Sequence, residues 1–307
     1  MGITAAFLSP KADDLFSSVA AFTDTRELGT LDVQEGQHPA RTAIKPAVAN
    51  ALRNKRSEGC RIALVKGDAG SGKTHVLSTT LAHAASMPWG EVYPVVLQLT
   101  SPVKQSDYDV WLQDAVIREL SARHFTNQDG FSPLRRLAGR LLGKMTLDQQ
   151  DEFRLLIDDI DDDGEVELAL RFAKRIHRQA IDELQTDAPP EGFIAAILLA
   201  GFADSSALNY LRRGVTEKRL KPLGLDEIKR PHERIELLRH LALVAQIVGA
   251  AVVFAFDQVE NAVRLGSEGL FVHALTQAVR LESSIPNLAV IIVVLSDEYD
   301  AIVGGKR

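Results

Sequence analysis

Four short apolar runs, separated by segments with helical spacing, are the main feature of the hydrophobic pattern along the chain. The runs occupy residues 61–66, 92–100, 251–256 and 288–295. Continuous apolar runs of this length predict strands buried on both faces, as in a parallel sheet covered by helices. A helix-length segment follows the first run, and another follows the third at about 271–282. The pattern therefore indicates strand–helix–strand units and an α/β fold.

The strand pattern is interrupted between its second and third members. From about residue 108 to residue 248, apolar residues recur at intervals of three or four, as on one face of a helix. Leu134, Leu137 and Leu141 mark one such helix. Residues 193–201 are rich in alanine, which favours a helix over a strand. We therefore predict one parallel sheet with a large helical insertion between its second and third sequential strands.

A glycine-rich segment joins the first apolar run to the helix behind it. It reads G-x-x-x-x-G-K-T and consists of Gly67, Asp68, Ala69, Gly70, Ser71, Gly72, Lys73 and Thr74. Between a strand and a helix, such a loop binds phosphate, because its backbone N–H groups and the helix N-terminus face the anion. Lys73 is expected to contact the β- and γ-phosphates, and the Thr74 hydroxyl to bind Mg²⁺. The segment predicts ATP with Mg²⁺ as the ligand.

Hydrolysis also requires an acidic residue at the tip of a neighbouring strand to support the Mg²⁺ ion. Two stretches compete for this role, at 155–159 and at 252–260. The first is too short for a central strand and lies in a helical frame with a start signal at Thr146. The second is strongly β-prone and ends sharply in Asp257. We favour Asp257 over Asp158 as the metal-site residue.

The residues after Asp257 bear on whether the bound nucleotide is hydrolysed. Many ATPases have a glutamate directly after this aspartate, whereas this chain has Gln258 there and Glu260 two positions further on. Either Glu260 is the general base, or Gln258 only orients the attacking water and turnover is slow; Glu260 could also be an ordinary surface acid. Ser296, directly after the fourth apolar run, is a candidate contact to the γ-phosphate.

Composition narrows the class of protein. The 307 residues are 46% hydrophobic and 25% charged, as in ordinary globular domains. The net charge of −6 gives no global attraction to nucleic acid, and the single cysteine, Cys60, excludes an internal disulfide framework. The sequence has neither a membrane-length apolar run nor the basic start of a secretory signal. We expect a cytoplasmic protein that does not enter a membrane.

Two other charged features have both a functional and a structural interpretation. Residues 159–164 imitate the start of a calcium loop, but Leu170 stands where a bidentate glutamate is needed, so an acidic helix cap is favoured. Arg264 and Arg280 are candidates for arginine fingers toward a neighbouring subunit. Nothing in the sequence separates these two arginines from ordinary surface arginines.

A basic cluster lies inside the insertion and consists of Arg212, Arg213, Lys218, Arg219 and Lys221. Such clusters bind the phosphates of DNA or RNA. However, acidic residues lie nearby, and no aromatic residues are interleaved to stack on bases. We therefore favour a solvated surface for this cluster.

The glycine-rich loop together with Asp257 resembles the additional-strand P-loop ATPases, the class that includes the AAA+ and STAND proteins. The string Asp257-Gln258-Val259-Glu260 is similar to the Asp-Gln-aromatic-Glu version of bacterial STAND ATPases. Residues 208–260 resemble the ATP-binding proteins of BREX-type bacterial phage-defence systems. The resemblance rests on Tyr210-Leu211-Arg212-Arg213-Gly214, Leu223-Gly224, the helical stretch 237–249 and the strand ending in Asp257. That family usually has Asp-Glu where this chain has Asp257-Gln258.

Pattern and resemblance together predict a three-layer P-loop NTPase core with a parallel sheet and a large helical insertion. The expected parts are an N-terminal helical approach segment at 1–60, the first part of the core at 61–104, the insertion at 105–249, and the second part of the core at 250–307. AAA+ proteins also carry a small helical lid, which has no obvious place after Asp297. We therefore expect the chain to be the N-terminal ATPase part of a longer protein, or a truncated form of one.

The resemblance implies an ATPase that drives a conformational or oligomeric switch in antiviral defence. Its expected partners are further copies of the chain, an effector protein, and DNA or RNA. A nucleotide-gated binding or scaffold module with little hydrolysis, which recruits nucleic acid or a partner enzyme, is the alternative. A small-molecule kinase is a third interpretation, which the long helical insertion disfavours.

Overall fold

The structure is a computed structural model that describes residues 38–53, 61–85, 91–99, 103–122, 131–143, 162–184, 188–264, 268–285 and 287–303. The strands are β1 (Ile62–Gly67), β2 (Glu91–Gln98), β3 (Ala250–Asp257) and β4 (Leu288–Leu295). The α-helices are α1 (His38–Arg53), α2 (Lys73–Ala85), α3 (Tyr108–Ser121), α4 (Pro133–Leu142), α5 (Asp162–Leu184), α6 (Glu191–Gly201), α7 (Ser205–Arg213), α8 (Pro231–Ile247), α9 (Asn261–Arg264), α10 (Glu268–Ser284) and α11 (Ser296–Val303).

The four strands form one parallel sheet in the order β1-β4-β3-β2. All four predicted strands are present, and their ends differ from the sequence-based bounds by no more than two residues. The parallel sheet of the expected α/β fold is therefore confirmed. The last strand along the chain, β4, lies between β1 and β3, so the sheet order differs from the sequence order.

Helices cover both faces of the sheet. Successive side chains of each strand point to opposite faces, so each strand contributes apolar residues to both. On β3, Val253 and Ala255 belong to one apolar cluster together with α1 and α2. Phe254 and Phe256 belong to the other cluster, which includes α3, α8 and α10. Both faces are therefore buried, as continuous apolar strands require.

The long segment between β2 and β3 is helical, as its pattern predicts. It contains α3 to α8 and a 3₁₀ helix at Lys218–Leu223. The alanine-rich stretch at 193–201 is part of helix α6, which confirms the preference for a helix there. A Cβ on Gly201 would lie 2.2 Å from the Cβ of Ala138, so α6 and α4 approach too closely for any larger residue. The segment packs into the same apolar cluster as one face of the sheet.

Several sequence-based expectations fall outside the described residues. They concern residues 1–37 of the N-terminal approach segment, the competing acidic stretch at 155–159, and the start of the calcium-like loop at 159–161. The side chain of Arg264 also lies outside them. None of the described helices has the combination of length and hydropathy needed to cross a bilayer.

Candidate functional site

The glycine-rich loop curls between β1 and α2 in a conformation that requires its glycines. Gly70 has φ +75° and Gly72 has φ +78°, in the left-handed region where a side chain is strained. A Cβ on Gly67 would lie 2.8 Å from the Ser71 hydroxyl oxygen and 3.3 Å from Cδ of Lys73. The backbone N–H of Val76 donates to the Gly72 carbonyl at 2.9 Å, so α2 starts directly from the loop.

Lys73 lies at the first turn of α2 and folds back over the loop. Its Nζ donates to the carbonyl oxygens of Gly67 at 2.9 Å and of Asp68 at 2.6 Å. Burial lowers the pKa of the Lys73 ammonium, while the negative charges of Glu260, Asp257 and Asp68 act against this shift. The ammonium therefore stands among carbonyl groups and three nearby carboxylates.

Asp257 ends β3 and is only 2% exposed. It has the same parity as Val253 and Ala255, so its side chain points toward the face covered by α2. The Thr74 hydroxyl of α2 donates to Oδ2 of Asp257 at 3.0 Å. The structure therefore joins the end of the loop to the acid favoured from the sequence, across 183 residues of chain.

Gln98, at the end of β2, belongs to the same site, and sequence reasoning missed it. Gln98 and Asp257 are register partners in the parallel pair β2–β3. The Nε2 atom of Gln98 donates to Oδ2 of Asp257 at 3.2 Å, the same oxygen that Thr74 contacts. The available signal was that Gln98 is the first polar residue within the run at 92–100, and that the apolar stretch before it is similar in length to the one before Asp257.

The carboxyl group of Asp257 has opposing influences on its protonation. Burial raises the pKa of Asp257, and this effect is the largest. Hydrogen bonds from Thr74, Gln98 and the backbone N–H of Gln258, together with the charge of Lys73, favour the carboxylate form and reduce the shift. The net result is a buried acid whose pKa lies above its ordinary value and whose carboxylate accepts three hydrogen bonds.

The turn after β3 fixes the positions of the two candidate water-handling residues. Gln258 has φ +57°, an uncommon conformation for a residue with a side chain. Nδ2 of Asn261 donates to Oε1 of Gln258 at 3.2 Å and to the backbone carbonyl of Leu99 at 3.3 Å. The Gln258 side chain is thus held by a neighbour in its own turn.

Glu260 is 6% exposed, so it is not the surface acid that was its structural alternative. Of the three carboxylates that counter the lowering of the Lys73 pKa, Glu260 has the largest effect, which indicates that Glu260 lies near the loop. A buried carboxylate near the lysine of the glycine-rich loop is a candidate general base. Sequence spacing alone could not establish this proximity.

Ser296 lies at the start of α11, directly after β4. Gly67 and Leu295 are register partners in the pair β1–β4, so Ser296 follows the residue that lies beside the start of the loop. The carboxyl ends of β1, β4, β3 and β2 thus bring the loop, Ser296, Asp257 and Gln98 to one edge of the sheet. This edge is where nucleotides bind in open α/β sheets.

The basic cluster predicted in the insertion is partly neutralised. Nε of Arg212 lies 2.8 Å from Oδ1 of Asp114. Arg219 contacts Glu165 and Asp204, each at 2.6 Å. These two arginines therefore hold the insertion together, which agrees with the preference against a nucleic-acid site there.

Comparison of the chain with protein-family models, with curated protein sequences and with solved structures finds no match. The chemistry assigned to this edge of the sheet therefore rests on its own geometry. Its parts are a glycine loop in a left-handed conformation, a lysine at the helix start, and a hydroxyl bonded to a buried carboxylate.

Proposed function

We propose that the chain binds ATP with Mg²⁺ at the loop and hydrolyses it. The observation that carries this proposal is the 3.0 Å hydrogen bond from the Thr74 hydroxyl to Asp257. A glycine-rich loop alone only suggests phosphate binding, whereas a hydroxyl and a buried carboxylate together supply the protein side of a metal–triphosphate site.

The loop supplies the groups that recognise the phosphates. Gly70 and Gly72 turn the backbone so that successive N–H groups face one point, and α2 adds the partial positive charge of its N-terminus. Lys73 now donates to two carbonyls of its own loop. On ATP binding, it exchanges these neutral acceptors for charged phosphate oxygens, which form stronger hydrogen bonds with an ammonium group.

Thr74 and Asp257 fit a magnesium ion. Mg²⁺ takes oxygen ligands and is usually held by one or two carboxylates, water and the phosphates of the substrate. The Thr74 hydroxyl oxygen has a free lone pair while its proton is donated to Asp257, so it can bind the ion without losing that bond. When bound, the ion neutralises negative charge on the phosphates.

We assign the general base to Glu260 rather than Gln258. The Gln258 side chain accepts a hydrogen bond from Asn261 within its own turn, whereas Glu260 is a buried carboxylate near Lys73. Glu260 takes a proton from water as the water oxygen bonds to the γ-phosphorus. The bond from the γ-phosphorus to the bridging oxygen breaks, and ADP and inorganic phosphate leave.

The sheet order supports the additional-strand class of P-loop ATPases. One further strand, β4, lies between the loop-bearing β1 and the acidic strand β3. We propose that hydrolysis at this edge drives a conformational or oligomeric switch, in which further copies of the chain and an effector protein take part. A role in bacterial antiviral defence is the corresponding proposal for the biology.

A nucleotide-gated scaffold with little hydrolysis is the second candidate function. It is favoured by one observation, namely that an amide, Gln258, follows Asp257 directly and occupies an uncommon backbone conformation. In this alternative, the loop binds ATP tightly and the bound state recruits a partner.

A multiple-turnover phosphate-release assay separates the two functions. Glu260→Gln is expected to lower turnover by about 100-fold, the usual loss for a general base, with ATP affinity retained. The matched control Gln258→Ala is expected to change turnover by less than about fivefold, because the Gln258 side chain is held by Asn261 and has no part in the proposed mechanism. If the wild type binds ATP but releases no phosphate above background, with or without DNA, the hydrolysis proposal fails.

A further inference from the structure

A stripe of exposed cations runs along α5, away from the nucleotide site. We call it the basic stripe, and its members are Arg171, Lys174, Arg175 and Arg178. Their spacing of three, four and seven residues places them on one face of the helix. The opposite face carries Ala169, Ala173 and Ile176, each no more than 1% exposed, which pack into the core. The basic stripe is therefore fixed on the solvent side of a well-anchored helix.

The basic stripe differs from the basic cluster predicted at 212–221 in the ion pairing of three of its four members. Within the described part of the chain, Lys174, Arg175 and Arg178 form no ion pair. Along the described residues of α5, the acidic residues on this face are Glu167 and Asp182, about one turn beyond either end of the basic stripe. A local concentration of positive charge on a protein with net charge −6 calls for a specific explanation.

The spacing of the stripe fits a chain of phosphates. The seven residue steps from Arg171 to Arg178 rise by about 10 Å along the helix axis. Duplex DNA carries about six negative charges over that length. Arginine forms planar, paired hydrogen bonds with phosphate oxygens, and three of the four members are arginine.

A protein partner fits this face less well. Protein interfaces need apolar or aromatic anchors at their centre and are depleted in charge there. Among the described residues of α5, the exposed large apolar residue is Ile181, which is 45% exposed and lies past the end of the basic stripe. The stripe also offers no exposed aromatic ring for stacking on bases, because Phe172 is fully buried.

We propose that the basic stripe of α5 binds the phosphodiester backbone of nucleic acid without reading its base sequence. This surface is separate from the loop at Gly67–Thr74. Its binding of nucleic acid is expected in the absence of nucleotide, so its success or failure is independent of ATP hydrolysis.

The test compares two variants with the same charge change. The stripe variant carries Lys174→Ala, Arg175→Ala and Arg178→Ala; the control carries Arg213→Ala, Lys218→Ala and Lys221→Ala, also all exposed. Each variant moves the net charge from −6 to −9, because three positive charges are removed. Fluorescence anisotropy is measured over a NaCl series with labelled random-sequence duplex DNA, single-stranded DNA and double-stranded RNA, which share the backbone chemistry.

The stripe variant is expected to bind nucleic acid at least about tenfold more weakly than the wild type at low salt. Because three phosphate contacts are lost, the slope of the log of the binding constant against log [NaCl] should be shallower by about 2–3 units. The control is expected to keep the wild-type slope, and the form bound most tightly identifies the natural polymer. Absence of binding by the wild type, or equal losses in both variants, would overturn the proposal.

A footprint on the wild-type protein provides a measurement that needs no variant. Bound DNA is expected to slow acetylation of Lys174 and to leave Lys218 unchanged. Equal protection of both lysines contradicts the proposal. Polyglutamate serves as the acidic-protein probe, and loss of its binding in the stripe variant without loss of DNA binding assigns the surface to a protein partner instead.

Discussion

Gln98 and Asp257 face each other across β2 and β3, and the Gln98 amide donates to Oδ2 of Asp257 at 3.2 Å. Thr74 donates to the same oxygen from α2 at 3.0 Å. Two uncharged donors from different parts of the chain thus hold one buried carboxylate. Their convergence requires both the register of the sheet and the packing of α2 against it, so the fold sets the orientation of the acid.

Gln98→Leu is expected to raise the pKa of Asp257 further, because a donor to the carboxylate form is lost while burial remains. A hydrogen bond to a charged group contributes about 1.5–3 kcal/mol, so turnover near neutral pH falls by about tenfold or more. The acidic limb of the pH profile of phosphate release should move to higher pH, with ATP affinity in the absence of Mg²⁺ unchanged.

The exposed glutamine Gln179 on α5 provides the control for this experiment. Gln179→Leu makes the same change in side chain at a position outside the site, and it should leave the pH profile in place. A fall in turnover with no displacement of the acidic limb would assign Gln98 to packing rather than to the positioning of Asp257.

Asp257→Asn is expected to abolish hydrolysis and to stabilise the fold near neutral pH. Since the pKa of Asp257 is raised in the folded state, folding favours the protonated acid. That contribution is fully present below the unfolded pKa of about 3.8 and is lost as pH rises through the folded pKa. Asparagine avoids this loss, so Tm at neutral pH should rise above that of the wild type.

A pH series of thermal unfolding provides the check on this interpretation. The difference in Tm between Asp257→Asn and wild type should shrink toward acid pH, where both side chains are neutral. A variant that is less stable than wild type at neutral pH would show that the carboxylate is a net stabiliser, against the direction of its pKa shift.

The glycine-rich loop and Asp257 could be predicted from the sequence, because each is marked by a local pattern of residue types. Residues 252–256 are apolar and β-prone, and an acid follows them, so Asp257 could be paired with the loop before any contact was known. Gln98 could not be found in this way, because its role depends on the register of β2 with β3. The positive φ of Gln258 was equally hidden, since no glycine marks the turn.

The ion pairs of the basic residues also depend on contacts that the sequence does not reveal. Arg212 and Arg219 stand in a basic run of sequence, but their carboxylate partners come from other helices, at Asp114 and Glu165. The stripe on α5 is interspersed with apolar residues in the sequence and becomes continuous only on the helix surface. Sequence neighbours therefore predicted neither which cations are neutralised nor which are left in solvent.

Gly72→Ala is expected to destabilise the loop and weaken ATP binding. Gly72 has φ +78°, and a left-handed conformation costs a residue with a Cβ about 1–2 kcal/mol. The strained backbone also turns its N–H groups away from a common point, so ATP affinity should fall by more than about tenfold for a change of this size. Thermal unfolding and titration with a fluorescent ATP analogue measure the two effects.

Gly139→Ala is the matched control for the Gly72 substitution. Gly139 is exposed in α4, and a Cβ there would meet nothing within 4 Å. Alanine is favoured over glycine in a helix by about 0.5–1 kcal/mol, so this variant should be slightly more stable and bind ATP normally. Similar losses of ATP affinity in both variants would contradict a specific role for the loop conformation.

Gln258→Gly distinguishes the two residues that could handle the attacking water. Gln258 has φ +57°, so glycine relieves backbone strain there and should stabilise the fold by up to about 1 kcal/mol. Phosphate release should stay within about threefold of wild type, because the proposed mechanism assigns the proton to Glu260 and gives the Gln258 side chain no part in the barrier. Chemical denaturation and steady-state kinetics measure the two outcomes.

Asn261→Ala completes the comparison, because it frees the Gln258 side chain from its hydrogen bond without changing residue 258. With Glu260 as the base, this variant also keeps its turnover. A fall of more than about tenfold in Gln258→Gly, together with an altered rate in Asn261→Ala at unchanged ATP affinity, would instead assign water orientation to Gln258, since a lower kcat at constant binding reports an interaction made in the transition state.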